Sequence, residues 1–397
     1  MTERLQIQNL YKIFSSTPGP ALDILAKGGD KNEVFERLGA VVGLNNVSLT
    51  VPQGAMYMVM GLSGSGKSTL ARCINRLNEP SAGKILLDGR DIVPLGEDDL
   101  REVRRTRISM VFQHFALLPN KRVIENVEFG LKLRGIAPAE RRRRAEEVLT
   151  VVGLGRWGYH FPHELSGGMR QRVGLARALA TDADVLIMDE AFSALDPLIR
   201  TEMQDELLRL QRTLNKTILF ITHDFQEALK LGTRIAIMSE GELVREGTPQ
   251  SIVLEPGSDY VAAFTREIDR ARLFDARSVM RAGEPILQSE RGSLVGETGG
   301  PGFVLDHEGR ILGTLDADAC GKARSSGEIG APSADYVSVG PGAKLLEVAR
   351  SYRGGCPIAV VDDDGKFVGT LGADDILARI SSTTPKTASA GERHVQG

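Results

Sequence analysis

The stretch Met56-Tyr57-Met58-Val59-Met60, followed by Gly61-Leu62-Ser63-Gly64-Ser65-Gly66-Lys67-Ser68, decides the fold of this 397-residue chain. An apolar run, a turn with the spacing G-x-x-x-x-G-K-S and a helix-like stretch are typical of a phosphate-binding loop. Glycines let successive backbone N–H groups point at phosphate oxygens, while the helix N-terminus and the lysine add positive charge. The hydroxyl of Ser68 is placed to bind Mg²⁺. We therefore predict an α/β fold that binds a nucleoside triphosphate through Gly61, Leu62, Ser63, Gly64, Ser65, Gly66, Lys67, Ser68 and Thr69.

Length, composition and charge indicate a multidomain globular protein of the cytoplasm. The chain is too long for one typical core, and its 42% hydrophobic and 25% charged residues are ordinary for a soluble protein. A net charge of −3 gives no sign of a nucleic-acid surface, so we expect no nucleic-acid partner. Three widely separated cysteines favour a reducing compartment over a disulfide or zinc framework. No apolar run approaches the roughly 18 to 20 residues that span a bilayer, and no signal peptide is evident.

A second element of phosphate chemistry is the run Val-Leu-Ile-Met-Asp-Glu from Val185 to Glu190. Its four apolar residues predict a buried strand of a parallel sheet, whose C-terminal end lies where ligands bind in such sheets. Asp189 suits the coordination of Mg²⁺, which prefers oxygen ligands. Glu190 is placed to polarise an attacking water as a general base.

Between these elements stands Glu164-Leu165-Ser166-Gly167-Gly168-Met169-Arg170-Gln171-Arg172, and it resembles the signature of ATP-binding cassette (ABC) ATPases. A Ser-Gly-Gly turn that opens a helix is a further anion site at a helix N-terminus. The resemblance implies a P-loop NTPase of the ABC cassette type, with a mixed sheet and a helical subdomain. It also implies a head-to-tail homodimer with two sandwiched ATP molecules, in which Ser166, Gly167 and Gly168 complete the partner's nucleotide site.

Four further segments match the marks of that family. Gln113, in Val-Phe-Gln-His-Phe, resembles the glutamine that touches Mg²⁺ and links the nucleotide site to the helical subdomain. Ser193-Ala194-Leu195-Asp196 resembles the D-loop, which crosses the dimer interface. His223, which follows the apolar strand Thr217 to Ile221, resembles the histidine that contacts the γ-phosphate. Phe14 is the best match for the aromatic residue that stacks on adenine, with Tyr11 second.

The chain is predicted to contain two domains and a tail. Residues 1–255 carry every cassette mark, with a helical subdomain at about 90–165 and an insertion at 15–40. Residues 256–274 are predicted as a linker, residues 275–380 as a smaller α+β regulatory domain, and residues 381–397 as a disordered tail rich in Ser, Thr, Ala and Gly.

The predicted regulatory domain contains an internal repeat. The segments that begin Gly302-Phe-Val-Leu-Asp and Pro357-Ile-Ala-Val-Val-Asp each predict a strand, an acidic glycine turn and a second strand, about 56 residues apart. The repeat resembles a tandem cystathionine-β-synthase (CBS) module. Such modules often bind adenine nucleotides through a Ser/Thr and an Asp after the second strand. Here the first repeat has Asp316 and Ala319 at those positions, and the second keeps Asp375 but has Gly372.

The cassette, the C-terminal CBS pair, the insertion and Met169 in the signature together resemble the ATPase subunits of glycine betaine/proline betaine importers. This resemblance implies ATP and Mg²⁺ as ligands and a peripheral position at the cytoplasmic face of the inner membrane. It also implies transmembrane permease subunits and, indirectly, a periplasmic or lipid-anchored substrate-binding protein.

Four alternatives remain open from the sequence. One is an importer for choline, proline or another amino acid or amine. The others are a cassette ATPase of DNA repair or translation, an exporter ATPase, and a nucleotide-sensing module with a degenerate cassette. The last of these is opposed by four intact residues, Lys67, Asp189, Glu190 and His223.

Overall fold

The computed structural model describes residues 2–112, 116–193, 195–289, 292–296, 300–333 and 335–381. The described part of the chain divides into two compact units between Phe264 and Thr265. Across the described ranges, no helix combines the length and the apolar character needed to cross a bilayer.

The first unit is built on a six-stranded sheet that positions the phosphate loop. Its described strands are β3 (Met56–Met60), β6 (Ile108–Val111), β7 (Val185–Asp189), β8 (Thr217–Thr222), β9 (Arg234–Ser239) and β10 (Glu242–Gly247). They lie in the order β10-β9-β3-β8-β7-β6, and β10 pairs antiparallel to β9 while the other pairs are parallel. Every residue of β3, β7 and β8 is buried. These continuous apolar runs form parallel strands because helices cover both faces of such a sheet.

A four-stranded antiparallel sheet completes the β-structure of this unit. It consists of β1 (Glu3–Phe14), β2 (Val41–Pro52), β4 (Ala82–Leu87) and β5 (Arg90–Asp91), in the order β2-β1-β4-β5. Leu5, Ile7 and Leu10 of β1 share one buried cluster with Tyr57 and Val59 of β3. The two sheets therefore enclose a common core.

The predicted insertion at residues 15–40 folds as two helices, α1 (Gly19–Ala26) and α2 (Lys31–Leu38). Its core is a small cluster that includes Ala21, Ile24 and Val34. Lys31 at the start of α2 forms an ion pair with Glu240 in the turn between β9 and β10. The insertion is therefore a folded element attached to the cassette.

Three helices form a separate bundle with its own core. They are α5 (Val123–Leu133), α6 (Pro138–Val151) and α7 (Gly167–Ala180). Val127, Leu149 and Val173 contribute one buried residue from each helix to the cluster. The other helices of the unit are α3 (Lys67–Ile74), α4 (Glu97–Thr106), α8 (Pro197–Leu214), α9 (Phe225–Leu231), α10 (Pro249–Leu254) and α11 (Asp259–Thr265).

The second unit contains two sheets, in the orders β11-β12-β13-β14 and β15-β16-β17. The strands are β11 (Glu284–Ser289), β12 (Gly292–Gly296), β13 (Gly302–Leu305), β14 (Ile311–Leu315), β15 (Val337–Val339), β16 (Ile358–Val361) and β17 (Phe367–Leu371). The helices are α12 (Arg270–Leu273), α13 (Ala317–Ser326), α14 (Leu345–Ser351) and α15 (Ala373–Ser381).

The two sequence repeats become hairpins with matching turns. Asp306 accepts the backbone N–H of Arg310 on its carboxylate at 2.8 Å, and Asp362 accepts that of Lys366 at the same distance. Phe367 N also donates 2.9 Å to Gly309 O, so one turn pairs with the hairpin of the other.

The predicted domain boundaries and the structural units differ around the predicted linker, residues 256–274. That segment contains α11 and α12, and the division between the units lies between Phe264 and Thr265. Of the predicted tail, 381–397, Ser381 ends α15 and residues 382–397 lie outside the described part of the chain.

Candidate functional site

The ends of three parallel strands bring the predicted catalytic segments to one edge of the central sheet. Met60, at the end of β3, is in register with Thr222 at the end of β8, and Asp189, at the end of β7, is in register with Ile221. The phosphate loop, Glu190 and His223 follow these strand ends directly, and Asp189 is itself the last residue of β7. Segments more than 150 residues apart therefore meet in space because parallel strands place their C-terminal ends at the same edge.

Two glycines of the phosphate loop are required by close backbone contacts. Gly61 has φ +151°, and a Cβ at this position would collide with the carbonyl of Met238 and lie 2.7 Å from Ser65 Oγ. Gly66 has φ +97°, and a Cβ there would lie 2.6 Å from Gly43 O. A side chain at either position is excluded both by space and by the left-handed backbone. The loop is thus a tight cradle that opens directly into α3.

Lys67 is held inside this loop. Its side-chain Nζ donates 2.8 Å to both Gly61 O and Leu62 O and 3.3 Å to Ser65 Oγ, and the residue is only 4% exposed. Burial lowers the pKa of Lys67 below its usual value, while the carboxylates of Glu190 and Asp189 oppose that shift. The ammonium group is therefore fixed beside the cradle by the loop's own carbonyls.

Ser68 and Asp189 form an oxygen-rich pair at the start of α3. Ser68 Oγ donates 2.9 Å to Asp189 Oδ1, and Asp189 is 6% exposed. Burial raises the pKa of Asp189, whereas the hydrogen bond from Ser68 and the charges of Arg72 and Lys67 oppose the rise. A hydroxyl and a carboxylate are the hard ligands that Mg²⁺ prefers, so the chemistry of the pair fits the predicted metal role.

Glu190 and His223 lie side by side at the mouth of the site. His223 Nδ1 is 3.4 Å from Glu190 Oε2, and the side chains are 57% and 20% exposed, respectively. Glu190 has φ +46°, in the left-handed region that few non-glycine residues occupy, and its N–H donates 3.0 Å to Ile221 O. Such strain is maintained only where neighbouring contacts fix the backbone. The predicted base and the predicted γ-phosphate ligand are therefore in contact.

Phe14, the predicted adenine-stacking residue, ends β1 and is 47% exposed. A Cβ on Gly43 would lie 2.7 Å from Phe14 Cε2 and 3.2 Å from Thr69 Cγ2. The ring therefore lies next to the first turn of α3, on the phosphate-loop side of the unit. Tyr11, the second candidate, is half-buried and pairs with Ala82 of β4.

The signature turn makes its described contacts with its own helix and with α8. Ser166 is the N-cap of α7 and accepts the backbone N–H of Met169 at 3.3 Å. Gly168 packs closely on Ile199, and a Cβ added to Gly168 would lie well under 3.0 Å from Ile199 Cγ2. By contrast, nothing lies within 4 Å of a Cβ added to Gly167. No described hydrogen bond or ion pair joins this turn to the phosphate loop. The structure therefore does not bring these two predicted nucleotide-binding elements together within one chain.

The remaining predicted site residues have different outcomes. Asp196 is the N-cap of α8 and accepts the backbone N–H of Ile199 at 3.1 Å. Gln113, predicted to touch Mg²⁺, lies outside the described residues, as does Ala194 in the predicted D-loop.

Two residues that the sequence reasoning missed contact these loops. Tyr260, from the predicted linker, accepts the N–H of Leu62 at 3.3 Å and donates 3.2 Å to Met238 O. Arg200, on α8, donates to the carbonyls of Ser193 and Leu195. Only the spacing of Arg200, four residues after Asp196 and thus on the same helix face, could have suggested its role in advance.

In the second unit, the two acidic residues considered for nucleotide binding have internal partners. Asp316 caps α13 and accepts the N–H of Ala319 at 2.7 Å. Asp375 forms an ion pair with Arg281. Both carboxylates therefore already have polar partners within this unit.

Comparison with known proteins supplies the context for this geometry. The ABC transporter family profile matches residues 44–193, and the CBS domain profile matches residues 327–382. The chain is 44% identical over 383 residues to the glycine betaine/proline betaine transport system ATP-binding protein ProV of Salmonella typhimurium (strain LT2), covering 94% of this chain and 96% of that protein.

Another relative and a solved structure extend the comparison. The trimethylamine N-oxide transport system ATP-binding protein TmoW of Pelagibacter ubique is 49% identical, over 70% of this chain and 82% of that protein. A dimeric ATP-binding cassette solved in a post-hydrolysis state, bound to ADP and Pi, is 32% identical with a TM-score of 0.53, and covers 62% of this chain and 98% of that one.

Proposed function

The chain belongs to the ABC transporter family of ATP-binding proteins, and on that premise we propose that it is the ATP-hydrolysing subunit of an importer for glycine betaine, proline betaine and related quaternary amines. The family and the P-loop α/β fold predicted from the sequence are thereby confirmed. The observation that carries the proposed substrate class is the similarity to ProV over 94% of the chain, which includes the second unit as well as the cassette.

The phosphate loop supplies the proposed ATP site. Backbone N–H groups between Gly61 and Thr69, with the ammonium of Lys67, bind the phosphates, and the exposed ring of Phe14 stacks on the adenine. Ser68 and Asp189, together with Gln113, would hold the Mg²⁺. The ion would supply positive charge that stabilises the negative charge developing on the phosphate oxygens.

The adjacent Glu190 and His223 supply the proposed hydrolytic step. The carboxylate of Glu190 accepts a proton from the attacking water, whose oxygen forms the new bond to the γ-phosphorus while the bond to the β-phosphate oxygen breaks. The imidazole of His223, 3.4 Å from that carboxylate, hydrogen-bonds the γ-phosphate and holds it in line with the water. The products are ADP and inorganic phosphate.

The proposed assembly contains two copies of this chain and a membrane permease. The Ser166–Gly168 turn makes no described hydrogen bond to the phosphate loop of its own chain, which is consistent with its completing the partner's ATP site. The helical bundle α5–α7 and Gln113 transmit closure to cytoplasmic loops of the permease. The subunit is then peripheral at the cytoplasmic face of the inner membrane, and a periplasmic or lipid-anchored binding protein delivers the substrate to the permease.

Uptake of labelled substrates tests this proposal. Cells that lack the gene are compared with cells that express the wild-type chain or Glu190→Gln, at low and high salt. We expect loss of glycine betaine uptake that only the wild-type chain restores. Unchanged uptake of glycine betaine and proline betaine in the deletion strain would overturn the proposed substrate class.

A second candidate substrate is favoured by the similarity to TmoW. At 49% identity this relative is similar to the chain over 280 residues, so trimethylamine N-oxide belongs in the same assay, beside choline and proline. A deletion that abolishes uptake of one of these compounds but not of the betaines would reassign the cargo and leave the ATPase role intact.

A further inference from the structure

We propose that Arg200 is a positioning residue that holds Glu190 and His223 in their relative geometry, an inference that rests on the proposed ATPase function. Arg200 lies in the first turn of α8 and belongs to neither the phosphate loop nor the two loops that carry the proposed catalytic side chains. Its guanidinium nevertheless contacts the chain on both sides of the site.

The first contact is with the loop that follows Glu190. Arg200 Nη2 donates 3.2 Å to Leu195 O and 3.4 Å to Ser193 O. Ser193 in turn donates its N–H (3.2 Å) and its hydroxyl (2.9 Å) to the carbonyl of Glu190. The guanidinium is thus linked through one residue to the strained backbone of Glu190, whose φ is +46°.

The second contact is with the loop that carries His223. Arg200 Nη1 is 3.6 Å from Asp224 Oδ2, and both side chains are about one-third exposed, at 31% and 33%. Asp224 is the N-cap of α9, where it accepts the N–H groups of Gln226 and Glu227, and its own N–H donates 2.9 Å to Thr222 Oγ1. His223 lies between Thr222 and Asp224, so these bonds fix its backbone on both sides.

Together these contacts close a ring around the proposed catalytic pair. The ring runs from Glu190 through Ser193 and Arg200 to Asp224 and His223, and it closes at the 3.4 Å contact between His223 Nδ1 and Glu190 Oε2. Arg200 is the member of the ring that bridges the two loops from outside, so the geometry assigns it the positioning role.

The next turn of α8 strengthens the same connection. Gln204, four residues after Arg200 and hence on the same helix face, donates 3.1 Å from Nε2 to Glu227 Oε1 in the first turn of α9.

An arginine suits the bridging position because its planar guanidinium presents several donors in fixed directions, whereas a lysine offers a point charge. Lysine can pair with Asp224 but cannot reproduce the fork to two carbonyls and a carboxylate.

Steady-state Mg·ATP hydrolysis by the full-length protein tests the inference. The variants are Arg200→Met, which keeps the bulk but removes the charge, and Asp224→Asn, which keeps an N-cap oxygen but removes the partner charge. Their double variant and Arg200→Lys complete the set. The control is Arg209→Met, on the same helix, whose side chain is 73% exposed and pairs with Glu206.

We expect Arg200→Met and Asp224→Asn each to lower kcat about tenfold and to leave the KM for ATP within about twofold, because neither side chain touches the phosphate loop. The double variant should be no slower than the slower single variant, because both changes break the same bridge. Arg200→Lys should fall between wild type and Arg200→Met, and Arg209→Met should behave as wild type.

Three results would overturn the inference while leaving the ATPase function intact. They are an Arg200→Met variant with wild-type kcat, losses that multiply in the double variant, and a loss confined to KM. If Arg200→Met does not fold, as judged by circular dichroism, wild-type kcat in Asp224→Asn is decisive in the same direction. A wild-type chain that does not hydrolyse Mg·ATP would instead refute the proposed function and this inference with it.

Discussion

Replacement of Gly168 by alanine tests whether the glycine of the signature turn is required by packing inside one chain. An alanine Cβ at this position would approach Ile199 Cγ2 far inside 3.0 Å, a distance that real Cβ atoms essentially never show. The Cγ2 atom is attached directly to the β-carbon of a branched residue in helix α8, so it cannot move away without a change in rotamer or backbone. Either the Ile199 side chain must change rotamer or helices α7 and α8 must move apart.

The magnitude follows from two opposing effects. Overpacking of this kind destabilises a protein by about 1–3 kcal/mol. Alanine in place of glycine within a helix stabilises it by about 0.5–1 kcal/mol. The difference between the middle values of the two ranges predicts that Gly168→Ala lowers the free energy of unfolding by about 1 kcal/mol. Gly167→Ala, next to it and with nothing within 4 Å of the new Cβ, should leave that free energy unchanged or slightly raised.

Urea unfolding of the two full-length variants, followed by circular dichroism, provides the comparison. The double variant Gly168→Ala/Ile199→Ala, which removes the obstructing methyl group, should lose less stability than the sum of its single changes. Equal stability of Gly167→Ala and Gly168→Ala would refute the packing argument and leave the glycine to be explained by the partner's nucleotide alone.

Three further predictions concern individual charged groups. Glu190→Gln should reduce Mg·ATP turnover by about 100-fold or more, because an amide cannot accept the proton, and should accumulate an ATP-bound dimer on size exclusion; turnover near wild type would remove Glu190 from the base role. Lys67→Ala should abolish ATP binding in equilibrium dialysis, and an unchanged affinity would contradict the assigned phosphate loop. Burial raises the pKa of Glu227, and the hydrogen bonds from Thr222 and Gln204 oppose the rise. Because the folded-state pKa of Glu227 lies above the unfolded one, its contribution to stability is lost as the pH rises through the folded value. Glu227→Gln should therefore weaken the fall in melting temperature as the pH rises above the usual glutamate pKa; an unaltered pH dependence would contradict this reasoning.

The parts of the site that could be predicted from the sequence are those in which the functional residues are adjacent in sequence to a buried strand. The strands Met56–Met60 and Val185–Asp189 are buried and parallel, and the residues predicted for phosphate chemistry lie at or directly after their C-terminal ends. Parallel pairing then places these residues together, because parallel strands have their C-terminal ends at the same edge of the sheet. That step needs no information about the other segments of the chain.

The contacts that could not be predicted are those between segments distant in sequence. Tyr260 contacts Leu62 from a segment predicted as a linker, and the adjacent Val261 is fully buried. The spacing of Arg200 from Asp196 places it on one helix face with the D-loop, but it does not predict the contacts of Arg200 with Ser193 and Asp224. The helices of the insertion were equally unpredicted, since their small core, around Ile24 and Val34, is too short to give a clear periodic pattern.

The paired hairpin turns of the second unit bear on the ancestry of the chain and on how it can be divided. Asp306 and Asp362 bind their turns in the same way, about 56 residues apart, as expected of two descendants of one duplicated hairpin. The bond from Phe367 N to Gly309 O joins the two descendants, so the second repeat satisfies a backbone carbonyl in the turn of the first. A gene fragment that ends between the repeats would expose that carbonyl and the apolar faces of both sheets. Recombination or truncation that respects this unit must therefore keep both copies or remove both.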